Sequence, residues 1–284
     1  MERVALIESG ASDPRKFVYQ VYPPSGLMYL ASYLRKHHPE VKIKIFDLML
    51  ERAPEESIIS DLKDFSPQLV GIHAMHFQAR SLHRLAQLVK ENLKEVVVIA
   101  GGPYPTSEPQ TVLKDKNIDL AVRGEGEITF LEVFERLRSG RDFSGVKGCA
   151  WLKGDELVLE PEREPISDLD QLPFPAWDLI DLKRFFDWKI LTQNDIRWRK
   201  EVATIFTSRA CPYGCIFCHN MFGKKFRARS PENVLEEIRL LYHQYGVREI
   251  HFIDDCFNFD MERAKRTFQM IIAVSYTHLT LPTN

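Results

Sequence analysis

Val96-Val97-Val98-Ile99-Ala100-Gly101-Gly102-Pro103 is an unbroken apolar run that stops at paired glycines. Its β-branched residues suit a strand covered on both faces, the kind found inside a parallel sheet. Just upstream, Leu82, Leu85, Ala86 and Val89 repeat at i, i+3, i+4 and i+7, the apolar stripe of a helix. The same alternation extends in both directions. Further apolar runs are Val4–Ile7, Val41–Phe46, Leu69–Ile72 and Ile118–Val122, and further helical stripes are Leu27, Leu30, Ala31, Leu34 and Phe130, Leu131, Phe134, Leu137. This βα repeat predicts an α/β domain over residues 1–140, a flavodoxin- or Rossmann-like parallel sheet with helices on both faces. In the second run Lys42 and Lys44 alternate with Val41, Ile43 and Ile45, so that strand is expected at an edge. An edge second strand fits the order 2-1-3-4-5, whose ligands sit at the C-terminal strand ends.

Those ends carry candidate binding residues. The fourth strand closes on Gly101-Gly102-Pro103, the fifth on Arg123-Gly124-Glu125-Gly126-Glu127, and the first on Ser9-Gly10. Glycines there permit positive φ and close approach of a ligand to the backbone, although tight βα turns use them too. Two such turns at adjacent strands favour a flat or bulky ligand. Gly-x-Gly-x-x-Gly does not follow the first strand, so the usual dinucleotide fingerprint is absent. His73 at the third strand end is a possible ligand, but such a histidine more often only makes hydrogen bonds.

Residues 141–200 change character. Cys149–Leu152 and Leu157–Leu159 flank Lys153-Gly154-Asp155 and predict a β-hairpin. Leu172-Pro173-Phe174-Pro175-Ala176-Trp177 reads as an ordered linker with its aromatics packing onto the next domain. Residues 201–273 begin a second βα pattern. Its strands are Val202–Phe206 and Ile250–Ile253. Ser230-Pro231 starts one helix, and a second runs from Arg263 to about Ile272. Residues 274–284 continue no pattern and are expected to be foreign to the protein, which would leave the second domain truncated at its C-terminal side.

Lysine plus arginine number 38 and aspartate plus glutamate 40, a formal charge of −2 that gives no nucleic-acid signal. No apolar run approaches the ~18 residues of a membrane span. The chain enters Val4–Ile7 directly, so a cytoplasmic location is expected. Three of the five cysteines fall in Cys211-Pro212-Tyr213-Gly214-Cys215-Ile216-Phe217-Cys218. In a reducing compartment such clustering points to metal or redox chemistry. Structural zinc wants four ligands and none completes the set nearby. Three thiolates suit a 4Fe–4S cluster with one iron left open. Zinc with a distant fourth ligand, or cysteines that merely pack, are the alternatives.

The cysteine loop, with Phe217 before its third cysteine, resembles that of the radical S-adenosylmethionine (radical SAM) enzymes. Thr207-Ser208-Arg209, Arg227-Ala228-Arg229-Ser230-Pro231, the Leu172–Asp178 stretch and both glycine turns resemble the branch with an N-terminal cobalamin-binding domain. Ala210 departs from that branch, where glycine often precedes the first cysteine; only a small local backbone effect is expected. The resemblance implies a 4Fe–4S cluster on Cys211, Cys215 and Cys218. It implies S-adenosylmethionine beside Phe217, Asp254 and Asp255, cleaved to a 5′-deoxyadenosyl radical. By the residues alone, the two aspartates could instead cap the next helix. Cobalamin is implied at Ser9, Gly10, Gly101, Gly102, Pro103, Gly124, Glu125 and Gly126. The Asp-x-His-x-x-Gly signature of other cobalamin modules is missing, which suggests binding without a histidine ligand.

The implied activity is methyl transfer to an unactivated centre of a small-molecule substrate, with flavodoxin or ferredoxin as electron donor. A radical SAM cyclase or rearrangement enzyme and a non-catalytic corrinoid-binding protein are the alternatives. A methylthiotransferase needs three further cysteines upstream, where only Cys149 occurs.

Overall fold

The computed structural model describes residues 1–11, 22–186, 200–218 and 221–274. Trp188, His219 and the tail from 275 onward lie outside them. The chain divides into two compact units, the first built mainly from Gly26–Glu164 with Pro175–Leu179 and the start of the chain.

In the first unit the strands are β1 (Arg3–Glu8), β2 (Lys42–Asp47), β3 (Leu69–His73), β4 (Val97–Gly101), β5 (Leu120–Val122), β6 (Cys149–Lys153) and β7 (Glu156–Leu159). They form one sheet in the order β2-β1-β3-β4-β5-β6-β7. The first five are parallel, and β6 and β7 add to the β5 edge in antiparallel fashion. The expected order and edge position of β2 are both observed. The hairpin forms too, and it extends this sheet.

The helices are α1 (Ser25–His37), α2 (Leu48–Glu51), α3 (Ile59–Phe65), α4 (Ala79–Asn92), α5 (Pro103–Ser107), α6 (Pro109–Leu113) and α7 (Gly126–Ser139). Strand alternation sends successive β1 residues to opposite faces. Val4 and Leu6 join the core made with Leu27, Ala31, Leu34, Phe130 and Phe134 of α1 and α7. Ala5 and Ile7 join the core made with Leu62 of α3 and Leu82, Leu85, Ala86 and Val89 of α4. Burial on both faces explains why β1, β3 and β4 read as continuous apolar runs.

The second unit carries α8 (Leu182–Phe186), β8 (Val202–Ile205), β9 (Ser208–Arg209), β10 (Arg227–Ala228), α9 (Pro231–Gln244), β11 (Glu249–Phe252) and α10 (Met261–Ala273). β8 and β11 pair in parallel, with Val202 opposite Glu249, and α9 packs on α10. Ser230 caps α9 by accepting from the Asn233 amide at 3.2 Å, with Pro231 at the first helical position. The helix after β11 is capped by Asp260, which accepts from Arg263 N; Asp254 and Asp255 take no part in that cap. The linker aromatics divide differently from expectation. Trp177, 1% exposed, is a core residue of the first unit, and the Phe174 ring lies 5.3 Å from the Arg229 guanidinium in the second. No described helix is long and apolar enough to cross a membrane.

Candidate functional site

The two sets of candidate residues fall in different units. In the first unit the β4 and β5 turns are tied together by one side chain. Thr106 Oγ1 donates to Gly102 O at 2.8 Å and accepts from Gly124 N at 3.1 Å. Gly102 has φ +99°, and a Cβ there would sit 2.5 Å from the His73 ring, so only glycine fits. Gly124, at φ +71°, and Gly101 face open space, where an added Cβ would meet nothing within 4 Å. Pro103 begins α5, directly after Gly102. Glu125 precedes α7, and Gly126 starts it against Leu30.

Ser9 and Gly10 are placed otherwise. Ser9 is fully buried and donates its hydroxyl to His73 O at 2.6 Å, while the Gly10 amide donates to Ser81 Oγ at 3.1 Å. They brace the β1 turn from within. The open, tied turns of β4 and β5 fit a bulky ligand lying over the strand ends.

Glu8, Asp47 and His73 end β1, β2 and β3 in register. Each closes an apolar strand with an ionisable residue; His73 stands out in the sequence, while Glu8 and Asp47 do not. His73 Nδ1 lies 2.8 Å from Glu8 Oε2. Burial lowers the His73 pKa, but the Glu8 carboxylate and Asp47 outweigh it, and the net shift is upward. Burial, then the charge of Glu8, pushes Asp47 up to about 7. Its Oδ1 accepts from Leu50 N at 3.0 Å, while its buried Oδ2 has no partner among the described residues.

In the second unit all three loop cysteines are free thiols; Cys215 and Cys218 are exposed and Cys211 half-buried. Ile216 and Phe217 between them are 102% and 89% exposed. Among the described residues no three His, Cys, Asp or Glu side chains converge into a closed metal cage. The donor set nonetheless fits an iron–sulfur cluster: three thiols on a single eight-residue loop and no fourth ligand in it. Cys256 lies in contact with Cys211, and burial together with that thiol raises its pKa. Cys149 is buried in β6 and pushed up to about 12 by desolvation, which makes it an inert packing residue.

The loop's root is firmly held. Asp254 Oδ1 accepts from the Thr207 and Ser208 amides at 2.6 and 2.7 Å, and its Oδ2 accepts from Thr207 Oγ1 at 2.5 Å. Burial pushes the Asp254 pKa up, opposed by these bonds and by the Arg263 charge. Arg263 Nη2 donates to Thr207 O and Oγ1 at 2.7 and 2.6 Å. Asp255 next door is exposed. Arg263 was not singled out from the sequence, although it shares an i, i+4, i+8 stripe with the buried Thr267 and Ile271. Ala210, directly before Cys211, has φ +74° and is 1% exposed.

The B12 binding domain family matches residues 16–134, and the Radical SAM superfamily matches residues 205–284. An uncharacterized methyltransferase of Pyrococcus horikoshii is 34% identical over 93% of this chain and 55% of its own length. The cytidylyl-2-hydroxyethylphosphonate methyltransferase of Streptomyces wedmorensis is 30% identical over 94% of this chain and 57% of its own. The solved structure of the radical S-adenosylmethionine methyltransferase TsrM from Kitasatospora setae, with tryptophan substrate and a SAM analog bound, superposes with a TM-score of 0.75. Identity there is 19%, over 99% of this chain and 54% of that one, a likeness of fold. The chain thus spans a little over half the length of these relatives.

Proposed function

The chain belongs to the radical SAM enzymes that carry a B12-binding domain, and on that premise we propose that it serves a cobalamin-dependent methyl transfer to an unactivated centre of a small-molecule substrate. The observation that carries this reading is the coexistence of two sites in one chain: three free thiols on one loop after β8, and open glycine turns at the ends of β4 and β5. Bound there, a 4Fe–4S cluster supplies the electron that splits S-adenosylmethionine into methionine and a 5′-deoxyadenosyl radical, and cobalamin supplies the methyl carrier.

The protein's own part is to hold and shield. Cys211, Cys215 and Cys218 would hold three irons of the cluster. Exposed Asp255 is suited to receive the ammonium of the cosubstrate, since a charged acceptor makes a stronger bond than a neutral one. The exposed ring of Phe217 offers the adenine an apolar wall. Gly101, Gly102, Pro103, Gly124, Glu125 and Gly126 would border the cobalamin, with Ser9 and Gly10 bracing the β1 turn beside them. A cytoplasmic setting, where thiols stay reduced, suits the loop, with flavodoxin or ferredoxin as reductant.

Anaerobic reconstitution tests the reading. It predicts about four irons per chain, lost in Cys215→Ala, and hydroxocobalamin that co-elutes with the protein. One equivalent of zinc without iron–sulfur absorbance, or failure to retain cobalamin, would reject it.

A further inference from the structure

Residues 207–209, between β8 and the first loop cysteine, are clamped from three directions. Asp254, beyond the end of β11, takes the Thr207 and Ser208 amides and the Thr207 hydroxyl. Arg263, from α10, takes the Thr207 carbonyl and hydroxyl, and its Nε donates to Arg229 O at 2.9 Å. Ser208 and Arg209 form β9 and pair with β10. The Thr207 hydroxyl therefore stands between a carboxylate and a guanidinium, donating to one and accepting from the other. Thr207 is 0% exposed and Arg263 8%, in contrast to the exposed side chains of Tyr213, Ile216 and Phe217 beyond.

We propose that Asp254, with Thr207 and Arg263, is a positioning residue that fixes the root of the cysteine loop, leaving Asp255 as the carboxylate free for the cosubstrate. The proposal rests on the reading of this loop as the cluster site. A carboxylate has about four acceptor positions, and three of Asp254's are spent on the loop root. Sites hold their geometry when the residues behind the ligands are locked by packing and hydrogen bonds. Thr207 and Asp254 sit in that supporting position for Cys211, four residues downstream of the hydroxyl.

The test uses anaerobically reconstituted full chain, with two readouts: the rate at which a chelator strips iron, and the electron paramagnetic resonance spectrum of the reduced cluster before any cosubstrate is added. Thr207→Val removes the hydroxyl at constant shape and Thr207→Ser keeps it. We expect Thr207→Val and Asp254→Asn to lose iron about tenfold faster and to show altered g-values, as supporting-shell losses do elsewhere. Thr207→Ser and Asp255→Asn should match the parent in both. Parental stripping rates and spectra in Asp254→Asn overturn the proposal. Should that variant not fold, the threonine pair decides alone: equal retention in Val and Ser overturns it, and loss in Val with retention in Ser supports it. A parent chain that takes up no iron, or a Cys215→Ala chain that keeps it, instead sinks the cluster reading beneath.

Discussion

Single residues carry the chemistry of both units, and their burial decides their behaviour. Asp47 shows this most clearly. Its pKa rises from 3.8 to about 7 because burial and the Glu8 charge penalise the carboxylate. The folded chain therefore binds this proton more tightly than the unfolded one. Its contribution to stability is full below about pH 4 and is lost as pH rises through 7. Asparagine at position 47 keeps the cap on Leu50 and carries no charge. From pH 5 to pH 8, Asp47→Asn should gain on the parent by about 2 kcal/mol in urea unfolding. A pH-independent gap would mean that the carboxylate stays ionised. Ala210 poses a different question, because its left-handed backbone costs about 1–2 kcal/mol relative to glycine. Its buried methyl returns about 0.8 kcal/mol, and glycine's extra unfolded freedom offsets about 0.5–1 more. Ala210→Gly should thus stay within about 0.5 kcal/mol of the parent, the small effect anticipated from sequence. A β-branched side chain tolerates this φ far worse, and Ala210→Val should cost about 2 kcal/mol or more in the same measurement.

Elements in the second unit are joined by buried charge. Arg229, after β10, pairs with Glu237 of α9, with side chains 4% and 0% exposed, and also donates to Asn233 Oδ1 at 2.6 Å and Phe206 O at 3.0 Å. Removing one partner strands the other charge away from water. Glu237→Ala should cost about 3 kcal/mol, read as lost hydrogen-exchange protection along α9. Protection equal to the parent's would show that water reaches Arg229. Arg227, also buried, donates to backbone carbonyls, Ile166 O at 2.8 Å and Phe222 O at 2.9 Å. The periodic stripe of α9 and its Ser230-Pro231 start were legible because capping and amphipathicity are local. The distant carbonyls that Arg227, Arg229 and Arg263 also meet, those of Ile166, Phe206 and Thr207, were not, since a backbone carbonyl leaves no mark in the sequence on the side chain that reaches it.

For the molecule as a whole, the two candidate sites fall in different compact units, and their cofactors should be separable. Cys215→Ala should abolish iron uptake and leave cobalamin co-elution unchanged; loss of both would mean that one site depends on the other. The sequence by itself determined the α/β class, the edge position of β2, the parallel order of the first five strands and the three-cysteine loop. Those features follow from local periodicity, from turn residues and from spacing along the chain. Only the tertiary structure decided that Thr106 ties the two glycine turns, that Glu8, Asp47 and His73 meet at one sheet end, and that Asp254 turns back to hold Thr207. Each joins residues distant in sequence, and burial away from water is what makes a carboxylate's choice of partner, and its proton, depend on that meeting.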